Sequence, residues 1–327
     1  VSEGESAAGR SPSQQLDLFI DGRDAIVIHE AVTGLVARDA DRAATALTRL
    51  EREHPAHPDL AALVLLMDAL GPTSPSPPTH ATVMTRIDEM DRRLAPAARR
   101  FLGAAAPRFL RPLWQGLAAA AATLPFDDGH PRAHPGWLCQ QYGDWGAVRA
   151  AVEAERDWRA NPLLRHWMGL AQHHLGEPEA AIRLWLPLCW TEPALFASQA
   201  PLLPSAPVRE AWEAFERATL VDEELVGSTD ATAWFPAWLL VRLPGLANLF
   251  RIEEIAESDD APRRAFRTLL VLLPLERRAI AGEVIGQRRG PADDVIGQRR
   301  ALRNISPAFF HHYLDAVSGR PRSRIQS

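Results

Sequence analysis

The sequence predicts an all-α fold, a solenoid of antiparallel helix pairs, on three observations. Apolar residues recur at three- and four-residue spacing through most of the chain, the period of a helix with one buried face. Alternating apolar and polar runs, which would mark half-buried strands, are nearly absent. Prolines and glycines cluster between the periodic segments, as connections between helices require.

Residues 1–14 are small and polar and hold almost nothing that burial would stabilise, so a flexible leader is expected there. Residues 15–70 then carry a pentapeptide and the N-terminal helices. Helical periodicity starts at Asp24, with Ile28, Val32, Leu35 and Val36 on one face. Asp41 can cap a second helix whose apolar side is Ala44, Leu47 and Leu50, and the segment from His54 to Pro58 ends it. Leu60, Leu63, Val64, Met67 and Leu70 form a third helix. Four prolines within 71–78 exclude any regular element, so 71–79 reads as a linker. The region 80–200 resumes with Val83, Ile87, Met90 and Leu94, then Leu110, Leu113, Trp114 and Leu117 up to Pro125. Further helices are predicted near 146–157, 163–174, 178–190, 207–219, 231–242, 262–274 and 306–318. Within the C-terminal helices of 201–318, the segment 284–304 is expected to be irregular, and 319–327 is a basic tail.

Residues 162–195 place Gly169 in a first helix, Leu175 and Gly176 at a turn, Ala181 and Trp185 in a second helix, and Pro193 as its terminator. This pattern resembles a tetratricopeptide repeat, a 34-residue helix-turn-helix unit, with degenerate copies preceding it from 137 and from 39. Gln172 departs from the pattern, where an aromatic is usual, and Pro187 should shorten the second helix. The resemblance implies a stack of such units, since one cannot bury its own apolar face, and a binding role for the extended surface.

Composition is that of a folded chain, with 46% hydrophobic and 24% charged residues. All 36 basic residues are arginine. A formal net charge of −5 argues against a protein that coats nucleic acid, because that needs a dense positive surface, and leaves nucleic-acid contact local or indirect. Cys139 and Cys189 are the only cysteines, and their spacing indicates neither a disulfide framework nor a zinc ribbon. The first fifteen residues lack a basic-then-apolar pattern, and apolar runs such as 269–275 are too short to span a bilayer. These features lead us to expect a cytoplasmic protein without a membrane partner.

No phosphate loop, dinucleotide fingerprint, nucleophile elbow or zinc-protease helix occurs, so no catalytic residue, metal or cofactor is expected. Asp127, Asp128, His130, His134 and Cys139 are all ligand types, but Pro131 and Pro135 place them in a surface loop. The acidic group Glu253, Glu254, Glu257, Asp259 and Asp260 reads as a solvated face. Six of the ten tryptophans fall between 137 and 190. Trp137, Trp145, Trp158 and Trp167 are candidates to line a peptide groove, with core packing as the competing role. The hexapeptide VIGQRR occurs at 284–289 and again at 295–300. It offers Arg288, Arg289, Arg299 and Arg300 to an acidic partner, unless they are simply solvated.

The most specific signal is QLDLF: Gln15, Leu16, Asp17, Leu18 and Phe19. It resembles the motif by which bacterial replication and repair proteins bind the DNA polymerase sliding clamp. In such motifs an extended segment offers a glutamine to one subsite and its terminal Leu and Phe to an apolar pocket. The resemblance implies a clamp as protein partner. The alternative is a structural clasp, in which Leu16, Leu18 and Phe19 close over the first helices.

Overall fold

The computed structural model describes the backbone of residues 12–71, 78–221, 231–280 and 291–319, and the side chains of these apart from 12–23, 220–221 and 291–292. Every regular element among the described residues is helical, and no strand occurs among them. No helix among them is long and apolar enough to cross a membrane. The chain divides into two compact units, Val1–Ala151 and Val152–Ser327.

In the N-terminal unit, α1 (Pro12–Ala37) and α2 (Ala40–Glu53) form a hairpin. Val27, Ala31 and Leu35 bury one face of α1, and Ala43, Leu47 and Leu50 bury the facing side of α2. The helices approach closely because residue 34 is glycine: a Cβ there would sit 2.7 Å from the Ala43 nitrogen. The turn between them puts Arg38 at φ +57°, where the Asp39 N–H donates to the Gly34 carbonyl at 2.8 Å. Asp39 then caps α2 by accepting from the Arg42 N–H, so the cap lies two residues before the expected Asp41. Helix α1 also starts twelve residues before the expected Asp24, so the backbone of residues 15–19 is helical rather than an extended tether.

After α3 (Leu60–Asp68) come α4 (His80–Glu89), a π-helical turn (Met90–Leu94) and α5 (Ala95–Leu102), in continuous succession. The wide turn precedes Pro96, which has no N–H for the Arg92 carbonyl and whose ring would crowd it in an α-helix. A 3₁₀ turn (Gly103–Ala105) leads into α6 (Ala106–Ala121), followed by α7 (Pro135–Gln140). The proline-rich segment expected to separate domains instead joins helices of one unit. Arg100 of α5 meets Asp59, before that segment, at 2.5 Å, and Arg38 Nη1 donates to the Phe109 carbonyl of α6 at 3.0 Å. The division falls instead inside α8 (Trp145–Ala154), where no proline or glycine marks it.

The C-terminal unit contains α9 (Pro162–His174), α10 (Pro178–Trp185), α11 (Leu188–Thr191), α12 (Pro193–Gln199), α13 (Ala206–Val221), α14 (Phe235–Arg242), α15 (Ala261–Ile280), α16 (Pro291–Ile305) and α17 (Pro307–Ser318). Its core is aromatic. Trp212 meets Phe235 edge-on at 5.1 Å between centroids, and Phe215 meets Trp238 at 5.5 Å. Helix α14 is buried along every residue from Phe235 to Val241, which explains an apolar run without helical amphipathicity. Residues 291–305, expected to be irregular, form a regular helix, begun by Pro291 at the favoured first position.

Candidate functional site

The α9–α10 hairpin is the local structure that most constrains a functional reading. Asn161 caps α9, its side-chain oxygen accepting from the Leu163 and Leu164 N–H groups at 3.0 Å each. Gly176, at φ +87°, makes the turn, and Glu177 N–H donates to the Gln172 carbonyl at 2.8 Å. Pro178 opens α10, which ends at Trp185 just before Pro187. Trp185 lies directly over Gly169, where a Cβ would sit 2.2 Å from the indole Nε1. That nitrogen donates to the His166 carbonyl at 3.3 Å. The His166 ring itself is buried, and burial pushes its pKa down to about 4.

The four candidate groove tryptophans are not equivalent. Trp158 and Trp167 are buried, Trp167 on the same α9 stripe as Leu164 and Ala171, so packing withdraws both from any docking surface. Trp137 is half-buried, edge-on to Trp114 at 6.1 Å and covered by the Arg132 guanidinium at 4.4 Å. Trp145, also half-buried, opens α8. Trp137 and Trp145 belong to the N-terminal unit, Trp158 and Trp167 to the C-terminal one.

The His- and Asp-bearing loop is tied by its own polar groups. His130 Nδ1 lies 2.8 Å from Asp127 Oδ2, and His134 is buried with its ring nitrogen accepting from the Gly136 N–H at 3.0 Å. Cys139 is buried on α7, where desolvation raises its thiol pKa. No group of three metal-capable side chains comes together among the described residues.

The basic hexapeptides are divided by the fold. Arg288 and Arg289 lie outside the described residues, and Arg300 is exposed. Arg299 is not available to a partner: its Nε and Nη2 donate to Glu276 Oε1 at 3.0 and 2.7 Å. The Tyr313 hydroxyl donates to the same carboxylate oxygen, so α15, α16 and α17 are pinned by one buried acid. Desolvation, with the adjacent carboxylate, holds the Tyr313 hydroxyl protonated well above the ordinary tyrosine range. The sequence carried a signal for this cluster: Glu276 interrupts the stripe Leu269, Leu272 and Leu273, and a lone acid on a buried face requires a partner. The side chains of the pentapeptide at 15–19 lie outside the described residues.

Architecturally, the chain is an all-helical protein of two units, one with a glycine-packed helix hairpin. No protein-family model, curated protein or solved structure matches it.

Proposed function

We propose that the protein is a non-catalytic, tetratricopeptide-like scaffold of bacterial origin, recruited to the DNA sliding clamp through residues 15–19. The observation that carries this reading is the match of Gln15, Leu16, Asp17, Leu18 and Phe19 to all five motif positions. A body of helix pairs supports it, since such surfaces hold partners brought to a common site. Binding the clamp requires the first turns of α1 to open, because the motif is read as an extended strand-like segment.

That requirement also supports a second reading, in which the pentapeptide is the helical start of α1 and a structural clasp for an adaptor in another system, such as secretion or complex assembly. One variant separates the two. Replacing Leu18 and Phe19 with alanine should weaken binding to purified sliding clamp by about 30-fold or more, the loss expected from one hot-spot anchor, with thermal stability nearly unchanged. If the wild-type protein does not bind the clamp and the variant melts several degrees lower, the segment is a clasp.

A further inference from the structure

The face formed by α5, the following 3₁₀ turn and the start of α6 has a charge unlike the rest of the chain. Arg92, Arg93, Arg99, Arg100, Arg108 and Arg111 fall within residues 92–126, which include no acidic residue. The whole chain carries −5, so the remaining 30 arginines and 41 acids leave −11 elsewhere. Positive charge is therefore segregated, and net charge does not describe what this surface attracts.

All six arginines are exposed, because the buried positions of α5 and α6 go to residues such as Ala98, Leu102, Phe109 and Trp114. The two helices pack on each other, so their exposed faces adjoin. Arg92 meets Asp88 at 3.5 Å and Arg100 meets Asp59 at 2.5 Å. Arg93, Arg99, Arg108 and Arg111 make no ion pair with any described residue. Arg38 adds a fifth guanidinium that no carboxylate among the described residues neutralises, held beside Arg108 by its bond to the Phe109 carbonyl.

The residues between the arginines select the partner. Exposed positions there are small or rigid, including Pro96, Gly103, Ala104 and Pro107, and nothing lies within 4 Å of where a Gly103 side chain would begin. None of the exposed large apolar side chains falls within 92–126. A protein interface draws most of its energy from buried aromatic or aliphatic anchors, and a helix on a bilayer needs an apolar face to insert. A phosphate backbone needs neither. It needs cations, free of carboxylates, on a surface that permits close approach.

We propose that the α5–α6 face binds the phosphate backbone of a nucleic-acid duplex directly. This contact does not depend on the pentapeptide, and it is tested without a clamp. Fluorescence anisotropy of a labelled random-sequence DNA duplex should show binding that weakens roughly 100-fold between about 50 and about 200 mM salt, the slope expected for about four phosphate contacts. The set R93Q/R99Q/R108Q/R111Q should abolish that slope, while lysine at the same four positions retains it. Each single glutamine should lower the slope by about one, a measurement that survives if the fourfold variant does not fold. A control set of exposed arginines elsewhere, R156Q/R183Q/R264Q/R303Q, removes the same charge and should bind as wild type. The proposal is overturned if the duplex does not bind, if the control set loses as much as the first, or if anionic phospholipid vesicles bind in place of DNA.

Discussion

Two residues of the α9–α10 hairpin set its energetics, and both act through the space beneath Trp185. Because a Cβ at 169 would lie 2.2 Å from the Trp185 nitrogen, Gly169→Ala must separate the helices and break the indole bond to His166. Overpacking of this kind costs about 2–3 kcal/mol, so the variant should melt roughly 5–10 °C lower by circular dichroism. His166 gives the hairpin a pH dependence whose sign follows from its depressed pKa. The unfolded imidazole takes up its proton near pH 6.5, and the folded one only near 4. Stability is therefore full above about 6.5 and is lost as pH falls toward 4, by about 3 kcal/mol for this residue. Chemical denaturation of wild type and His166→Phe across that window checks this: the wild-type midpoint should fall more steeply with acid than that of the variant. At this scale the sequence was informative where one residue type alone meets the steric need. Gly169, Gly176 and Asn161 occupy the turn, cap and contact positions their chemistry favours.

Among the elements, the second hexapeptide copy shows how packing assigns different roles to identical sequence. The copies are eleven residues apart, three helical turns, so local propensity does not distinguish them. Their C-terminal neighbours do. The second copy continues into Ala301 and Leu302, and Leu302 is fully buried, whereas the corresponding residues after the first copy are Gly290 and Pro291. The second copy thereby brings Arg299 to Glu276 and Tyr313. Arg299→Ala leaves the Glu276 carboxylate buried without its cation and should destabilise the protein by about 2 kcal/mol, while the exposed neighbour Arg300→Ala changes stability by less than about 0.5 kcal/mol. Urea denaturation of the two variants makes the comparison, and equal effects would remove the pin from the account. The prolines were legible at this scale as well. Pro178 and Pro291 begin helices and Pro187 follows the end of one, as a missing N–H demands. Pro112 and Pro274, however, lie inside α6 and α15, where the burial of flanking residues outweighs the lost bond.

Across the whole molecule, the division at 151/152 carries a thermodynamic consequence. The aromatic core running from Ala181 to Tyr313 lies wholly in the C-terminal unit, as do seven of the ten tryptophans. Thermal unfolding followed by tryptophan fluorescence should therefore report mainly that unit, whereas circular dichroism reports both. The two transitions should not coincide, and superimposable curves would mean that the units unfold as one. The sequence by itself determined the helical class and most helix positions, because 3.6-residue periodicity, caps and prolines act within a few residues of one another. It also supplied the pentapeptide, whose meaning rests on chemistry read one residue at a time. Only the tertiary structure decided that the proline-rich segment lies within one unit, that Trp158 and Trp167 are buried, and that Arg299 is engaged while Arg300 is exposed. Those outcomes depend on which faces meet across dozens of residues, and burial and ion pairing arise only when distant helices pack.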